Sequence, residues 1–315
     1  MEELTLRYYL GLFSILFILS YFFYLIFYKE INQEYLMIDI SRGENLSNIN
    51  LKILENENKL NTSIYKSILI LFNQFYKPVN YGKFKITINS NFIDILRVIT
   101  DKSNVNYKLT IVEGWERYQL NQYLSNYYLQ NTSIPYNLLI ADTYLINSSN
   151  SFEDLKKFLK NEKNNFMDKY KNEKIFKEYE MEELFIISSL VEKEAKNIID
   201  KPLISSVIFN RLERNMKLQI DATVISAITE GMYKLERDLY LSDLKYEHKL
   251  NTYTFKGLPS EMISYIGKET IEIVIQKPKS DYLFYFYDVL KEQHIFSNNY
   301  KQHIKRLNEY RKKNK

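Results

Sequence analysis

The chain has 315 residues, a formal net charge of +4 and no cysteine, which excludes disulfides, thiolate zinc sites and cysteine nucleophiles. Lysine and arginine are interspersed with aspartate and glutamate along the whole sequence, without the basic stripe that is typical of nucleic-acid-binding proteins. The three histidines, His248, His294 and His303, do not fall at metal-ligand spacing, so we predict no metal site and no cofactor.

The first predicted element is a transmembrane helix. Residues 8–28 carry no charge and are flanked by Arg7 and Lys29, and about 20 apolar helical residues cross a bilayer core. A cleavable signal peptide is the competing interpretation, but its apolar region is shorter, at about 7 to 15 residues, and ends in small residues. This run ends in two aromatic residues, so we predict an uncleaved anchor within a first segment, 1–32. The charges on its two sides are comparable and do not fix its orientation.

Three short segments that follow repeat a pattern of alternating strand, polar turn and amphipathic helix. Their strands are predicted at 36–40, 84–88 and 108–111. Units of this kind are typical of a compact α+β module, which we place at 33–125. By itself this pattern describes a fold and no function.

The remainder, 126–315, predicts a mostly helical domain. A capping-box-like start at Ser151 begins a charged connecting helix, and helices with one apolar face follow, separated by glycine and asparagine turn signals. Two strand-like pieces at 282–287 and 294–297 predict a hairpin. The predicted fold class is therefore α+β, with one N-terminal transmembrane helix, a small α+β module and a mostly helical domain with a small β-hairpin.

Carboxylates are the natural candidates for chemistry in a chain without cysteine or a metal site. Glu192 and Glu194 both fall within the apolar stretch of one helix. At about 100° per residue, Glu192 lies beside Phe185 and two small serines, an edge where a groove could admit a ligand. Partial desolvation there would raise the pKa of a carboxyl group and suit it to general-acid catalysis. Periodicity does not choose between the two glutamates, and it also allows both to be surface residues paired with neighbouring lysines.

A series of short motifs surrounds these glutamates in a fixed order. They are Thr-Ile-Val-Glu-Gly-Trp at 110–115, Asp-Thr-Tyr at 142–144, Val-Glu-Lys-Glu at 191–194, Val-Ile-Phe-Asn-Arg-Leu at 207–212, Met-Lys-Leu-Gln-Ile-Asp at 216–221, Thr-Val at 223–224, Asn-Thr-Tyr-Thr at 251–254, Gly-Leu-Pro at 257–259, Tyr-Leu-Phe-Tyr-Phe at 282–286 and His-Ile-Phe-Ser at 294–297. In this order, over nearly the full length, the chain resembles the YceG-like family of endolytic murein transglycosylases. The chain departs from the family pattern mostly at positions where the family has proline, as at Val112 and Ala141. It also has Leu250 where the family has a tyrosine.

The resemblance implies that Glu192 is the catalytic acid and base, with Glu194 in support. The implied reaction cleaves the β-1,4 bond between N-acetylmuramic acid and N-acetylglucosamine. The muramyl C6 hydroxyl attacks its own anomeric carbon and leaves a 1,6-anhydro end, so water is not consumed. One glutamate can then protonate the leaving oxygen and take the proton of the C6 hydroxyl, whereas ordinary glycoside hydrolysis uses two carboxyl groups.

A ring of polar side chains would position the sugars around this glutamate. The candidates are Gln219, Asp221, Thr223, Asn251, Tyr253 and His294. Each of them is equally open to a structural role, and Asp221 could simply be the N-cap of a helix.

The resemblance also implies that the module at 33–125 is LysM-like, a fold that recognises glycan strands, and that peptidoglycan is the partner. Peptidoglycan lies outside the cytoplasmic membrane, so we expect the N-terminus inside and both domains outside. In that position the enzyme would end the elongation of nascent strands, with glycan synthases as neighbours. The alternatives are a non-catalytic, membrane-anchored peptidoglycan-binding scaffold and a muramidase-type hydrolase that uses Asp221 as its second carboxylate.

Overall fold

The computed structural model describes four stretches of the chain, residues 2–31, 34–54, 57–128 and 132–313. The chain folds into two compact units, Met1–Leu109 with Leu145–Asn150 and Thr110–Tyr144 with Ser151–Lys315. The architecture is mixed α+β, mostly helical with small two-stranded sheets, which confirms the α+β character that the sequence predicted. Residues 1, 32, 33 and 315, at the limits of the predicted segments, lie outside the described stretches, and the predicted boundary after residue 125 stays a prediction.

The N-terminal helix α1 (Glu2–Phe27) contains an apolar stretch long enough to cross a membrane. This stretch, Leu6–Phe27, has 22 residues and a mean hydropathy of 2.3, and it is apolar on all sides and largely exposed. Near its end Leu25 is buried in the core of the first unit, and the hydroxyl group of Tyr65 donates a hydrogen bond to its carbonyl oxygen at 3.0 Å. The last turns of α1 are therefore packed against the folded part of this unit.

The first unit is built on an antiparallel strand pair. Strand β1 (Leu36–Ile40) pairs with β2 (Gly82–Ile86). Side chains alternate between the two faces of a strand, so Ile38 and Phe84 lie on the same face, and both are buried. The second strand begins two residues earlier than the predicted 84–88.

Three helices cover this face. They are α2 (Leu46–Ile53), α3 (Lys59–Phe75) and α4 (Phe92–Ile99). Each begins after an asparagine whose side chain accepts a hydrogen bond from a backbone N–H of the first turn, which satisfies a donor that has no partner within the helix. Helices α2 and α4 complete the first two predicted repeats, whereas α3 lies outside the predicted pattern.

The chain passes between the units along two further strands. Strand β3 (Asn106–Thr110) pairs with β4 (Thr143–Asn147). After β3 the chain turns at Glu113 and Gly114 into α5 (Arg117–Leu124), which is the third predicted strand-turn-helix repeat.

The second unit contains most of the helices and the hairpin. Its further elements are α6 (Phe152–Met167), α7 (Met181–Glu194), α8 (Lys201–Glu213), α9 (Asp221–Thr229), α10 (Lys268–Ile275), β5 (Phe284–Asp288), β6 (Gln293–Ser297) and α11 (Tyr300–Lys313). The antiparallel pairing of β5 and β6, with Phe284 opposite Ser297, confirms the predicted hairpin. Ser151 caps α6 as predicted, by accepting a hydrogen bond from the backbone N–H of Asp154 at 3.1 Å.

Helix α7 is the central element of this unit because α8, α9 and α10 all pack against it. Phe185, Ser188 and Ser189 are at most 2% exposed. The prediction that they line a groove beside Glu192 is therefore wrong, since the neighbouring helices enclose α7 over its middle turns. The Ser189 hydroxyl accepts a hydrogen bond from the backbone N–H of Ile263 at 3.2 Å, so this small residue admits a neighbouring chain segment instead of a ligand.

Candidate functional site

A cleft of about 740 Å³ opens at the C-terminal end of α7, within the size range of ligand sites in proteins. The first residues of α8 and α10 and the segment that follows β3 contribute to its walls. Its lining contains four acidic and three basic side chains, Glu113, Asp142, Glu192, Glu269, Lys196, Lys201 and Lys268. Such a surface suits a polar ligand with many hydroxyl groups.

Glu192 is held by three donors in this cleft. The Nζ of Lys201 lies 2.8 Å from its Oε1. The hydroxyl group of Thr270 donates to its Oε2 at 2.5 Å, and the backbone N–H of Gly267 donates to the same oxygen at 3.3 Å. Lys201 also donates to the Thr270 hydroxyl at 2.7 Å, so the three side chains form a closed network. Both oxygens of Glu192 act as acceptors, as a carboxylate does.

The ion pair of Glu192 with Lys201 is buried, with side-chain exposures of 6% and 9%. Glu192 lies in the last turn of α7 and Lys201 at the start of α8, where Pro202 suits the first turn because it needs no hydrogen-bond donor. Gly267 and Thr270 belong to the N-terminus of α10, whose backbone dipole favours a negative charge. Three helix ends thus hold one carboxylate in place.

Glu113 reaches the same place from the segment after β3. A Cβ atom at position 267 would lie 2.0 Å from its Oε1, so the Glu113 carboxyl group rests on the Cα of Gly267. Although Glu113 retains exposed surface towards the cleft, its partial burial raises the pKa of its carboxyl group, and the negative charge of Glu192 raises it further. The charge of Lys201 acts in the opposite direction.

Glu194, two residues beyond Glu192, belongs to a different cluster. The hydroxyl group of Tyr285, on the hairpin, donates to its Oε2 at 2.9 Å. The hydroxyl group of Tyr253 donates to Asp221 Oδ1 at 2.5 Å. Burial raises the pKa of Glu194, with a further contribution from Asp221, while the Tyr285 hydrogen bond and the positive charge of Arg211 oppose the shift. The structure therefore groups three predicted site residues, because the charge of Asp221, which is bonded to Tyr253, acts on the buried carboxyl group of Glu194.

The raised pKa of Glu194 predicts a pH-dependent effect of Glu194→Gln on stability. Above about pH 4.5, the ordinary value for this carboxyl, the folded protein holds a proton that the unfolded chain releases, so the free energy of unfolding of the wild type falls as pH rises. Glutamine keeps an acceptor for Tyr285 and does not titrate. The stability of the variant relative to the wild type should therefore rise with pH from about pH 4.5 upward, as measured by thermal unfolding. A difference that is constant with pH would contradict this.

Thr223 and Asn251 hold loops together in the structure. The Thr223 hydroxyl donates to the carbonyl oxygen of Ile220 at 2.6 Å. The side-chain amide of Asn251 donates to the carbonyl oxygen of Tyr246 at 2.8 Å. Both residues are fully buried, so their contacts position the segments that carry Asp221 and Tyr253. Asp221 is the first residue of α9 and Ile220 the N-cap, which corrects the N-cap interpretation of Asp221.

His294 and Gln219 occupy two further environments. The Nδ1 atom of His294 lies 2.7 Å from Asp200 Oδ2, and the pair is buried. Because Asp200 immediately precedes Lys201, His294 supports the start of α8 from behind the cleft. Gln219 is exposed and adopts a left-handed backbone conformation with φ of 52°, which is uncommon for a residue other than glycine. Its backbone N–H donates to the carbonyl oxygen of Thr252 at 3.2 Å.

The partners of Glu192 were not among the predicted site residues. Glu113 lies within the motif at 110–115, so it was available as a candidate, whereas Lys201 lies between the motifs at 191–194 and 207–212. Thr270 and Gly267 lie 78 and 75 residues away from Glu192 in sequence, and no spacing rule connects them to it. Their contribution depends on the docking of α10 against α7.

The chain is similar to one family of known proteins. The sequence model described as the YceG-like family matches residues 38–309. The endolytic murein transglycosylase of Bacillus subtilis is 29% identical over 239 residues, which cover 72% of this chain and 65% of the relative. The protein of the same name from Streptococcus pneumoniae is 32% identical over 133 residues, 41% of this chain and 23% of the relative. The matches thus span less than two thirds of the length of these relatives.

A solved structure shares the fold. The crystal structure of a YceG-like protein from Listeria monocytogenes superposes with a TM-score of 0.54 and 24% identity, over 87% of this chain and 99% of that protein. At this identity the likeness concerns the fold alone.

Proposed function

Because this chain belongs to the YceG-like family, we propose that it is a membrane-anchored endolytic transglycosylase that acts on peptidoglycan, with Glu192 at the centre of its active site. The observation that carries the proposal is the buried Glu192 carboxylate at the wall of an open polar cleft, held by Lys201, Thr270 and the N-terminus of α10. The printed names of the relatives from Bacillus subtilis and Streptococcus pneumoniae support the substrate class.

The proposed reaction breaks the β-1,4 bond between N-acetylmuramic acid and N-acetylglucosamine and leaves a 1,6-anhydro end. Internal attack by the muramyl C6 hydroxyl needs a proton donor at the leaving oxygen and a base at the hydroxyl, and Glu192 serves this proton transfer. Proton transfer by a positioned side chain contributes about 10²- to 10⁴-fold to a rate. The fixed position of Glu192 supports this role, since acid-base catalysis depends on geometry first.

The muramidase-type alternative is less well supported. It assigns the second carboxylate to Asp221, which accepts a hydrogen bond from Tyr253 in the Glu194 cluster and is not part of the cleft lining. A hydrolase needs its two carboxyl groups on either side of one glycosidic bond, about 5 to 9.5 Å apart. The separate surroundings of Asp221 and Glu192 favour the transglycosylase.

The proposed cellular position depends on α1. We infer that Leu6–Phe27 anchors the protein in the cytoplasmic membrane, with the N-terminus inside and the rest of the chain facing the peptidoglycan. Nascent glycan strands would then reach the cleft close to the membrane, where glycan synthases are the expected neighbours. The module predicted at 33–125 is proposed to be LysM-like and to bind the same strands.

Analysis of the product ends tests this function. Full-length protein in detergent micelles is incubated with uncrosslinked glycan strands, and the new ends are analysed by mass spectrometry. We expect anhydromuramyl ends, which are lighter than reducing ends by one water. Hydrated reducing ends would identify a hydrolase, and no cleavage by folded protein would favour the scaffold.

A further inference from the structure

We propose that the first turn of α3, around Leu60, docks on the headgroup region of an anionic bilayer, so that the first unit rests on the membrane from which α1 emerges. This inference rests on the proposed anchoring by α1 and goes beyond it, since it adds a second membrane contact and names the kind of lipid. It is carried by the contacts that α1 makes with α3 inside its own apolar stretch.

A cluster of polar side chains ties α1 to the start of α3. The hydroxyl group of Tyr21 donates to Asn61 Oδ1 at 3.0 Å. The side-chain amide of Asn61 donates to Glu57 Oε2 at 3.2 Å, and the Nζ of Lys29 donates to the same oxygen at 2.6 Å. Asn61 is buried by these contacts. The first turn of α3 is therefore fixed against the side of α1.

These contacts fall within the part of α1 that is proposed to cross the membrane. The apolar stretch is Leu6–Phe27, and its part before Tyr21 is about 22 Å long at about 1.5 Å per residue. The hydrocarbon core of a bilayer is about 30 Å thick, and any tilt of α1 would shorten its projection across the core. Tyr21 and its partner Asn61 therefore lie at the boundary between the hydrocarbon core and the headgroups.

Helix α3 has its first turn at the membrane and its last turn away from it. The start of α4 lies at the end of α1, where the side-chain amide of Asn91 donates to the carbonyl oxygen of Phe27 at 3.0 Å. The end of α4 lies beside the segment that follows α3, where the backbone N–H of Asn80 donates to the carbonyl oxygen of Ile99 at 2.9 Å. Helix α3 thus begins beside α1 and ends at the opposite end of α4.

The exposed side chains of this first turn suit a headgroup region. Leu60 is apolar and nevertheless 67% exposed. Side chains of a helix lean towards its N-terminus, which for α3 is the membrane side. Lys59 and Lys66, about two turns apart on one side of α3, are exposed as well. Lysines at this level attract anionic phospholipids, so a leucine inserted among headgroups would have cations beside it.

The end of α1 independently indicates where the headgroups lie. Tyr24 and Tyr28, one turn apart, are 51% and 67% exposed. Tyrosine rings prefer the headgroup level, because one end of the ring is apolar and the other is polar. Tyr24 lies between Tyr21 and Leu25, the two positions of α1 that contact α3. The level given by the aromatic residues therefore agrees with the level given by the length of α1.

Site-specific fluorescence tests this docking, because the chain has no cysteine and a single one can be introduced. Full-length Leu60→Cys carries the environment-sensitive label NBD and is reconstituted into nanodiscs of phosphatidylglycerol and phosphatidylcholine. We expect blue-shifted emission and stronger quenching by a nitroxide on the lipid headgroup than by one at the end of the acyl chain. Helices on a membrane surface bury their apolar side about 5 to 10 Å into this boundary.

Two further labelled positions are the controls. Phe75→Cys lies on the same helix at a position that is 76% exposed, about 22 Å further along its axis. Its label should keep the emission of a label in water and escape quenching. Leu16→Cys lies in the middle of the apolar stretch, and its label should be quenched most by the nitroxide at the end of the acyl chain.

The lipid composition tests the role of the lysines. In nanodiscs of phosphatidylcholine alone, the headgroup quenching of labelled Leu60→Cys should fall. Combining Leu60→Cys with Lys59→Gln and Lys66→Gln should give the same fall in the mixed nanodiscs, since both changes remove the attraction between lysine and anionic lipid.

Four results would each remove a different part of the assignment. Emission of a label in water at Leu60→Cys, with Leu16→Cys quenched, would mean that α1 crosses the bilayer while the first unit stands away from it. Equal quenching at Leu60→Cys and Phe75→Cys would overturn docking through the first turn of α3. Equal quenching at Leu60→Cys in both kinds of bilayer would overturn the choice of anionic lipid. No quenching at Leu16→Cys would remove the proposed anchor itself, and is thereby distinguished from a failure of docking alone.

Discussion

Glu192→Gln is expected to slow the cleavage of glycan strands by about 10²- to 10⁴-fold. Glutamine has nearly the same size as glutamate, and its amide oxygen can still accept a hydrogen bond, but it cannot take a proton from the C6 hydroxyl. It also removes the negative charge opposite the buried ammonium group of Lys201. The rate of appearance of new strand ends, measured on full-length protein in detergent micelles, checks this prediction.

The control for this variant is Glu182→Gln. Glu182 lies in the first turn of the same helix, α7, and is exposed to solvent, so the change alters the charge of the helix and leaves the cleft as it is. Its rate should equal that of the wild type. Retention of more than about a tenth of wild-type activity by Glu192→Gln would remove Glu192 from the proton transfer, since a missing general base reduces rates by at least about 10²-fold.

Lys201→Met is expected to destabilise the protein by about 3–5 kcal/mol, because loss of one partner of a buried ion pair leaves an uncompensated buried charge on the other. Methionine replaces most of the lysine stem, so packing changes little. The ammonium group also bonds Thr270 at 2.7 Å, and its loss should free Glu192 from its fixed position and reduce strand cleavage as well. Thermal unfolding and the cleavage rate of the full-length protein measure the two effects.

A double variant separates the ion pair from the packing. Addition of Glu192→Gln to Lys201→Met removes the unpaired carboxylate, so the double variant should be more stable than Lys201→Met alone. Strictly additive losses would mean that the two side chains are not coupled. A loss below about 1 kcal/mol for Lys201→Met would show that the pair is solvated in solution, as exposed pairs are.

Local patterns in the sequence predicted much of the fold. The uncharged run before Lys29 predicted an apolar helix, and α1 contains such a stretch at Leu6–Phe27. The alternation of apolar residues predicted β1 with its observed bounds, and it predicted β3 and the hairpin strands with bounds that differ from those observed by at most two residues. Helix α3 was not predicted because it lies outside the repeated strand-turn-helix pattern, although its apolar residues follow a helical period.

The sequence by itself determined which residues could carry the chemistry. A chain without cysteine or a metal-ligand pattern leaves carboxylates as the candidates, and the ordered motifs singled out Glu192. Periodicity on α7 could not separate Glu192 from Glu194, because residues two positions apart point to different sides of a helix and only the neighbouring elements decide what each side meets.

The tertiary structure alone decided the surroundings of each carboxylate. The docking of α10 against α7 brings Thr270 and Gly267 to Glu192 across more than 70 residues of sequence, and the hairpin brings Tyr285 to Glu194. Burial, hydrogen bonds and neighbouring charges set whether a carboxyl group gives or takes a proton. All three depend on atoms that are distant in the chain and close in space, so local sequence patterns name the candidate residues and the packing of the helices decides the surroundings of each one.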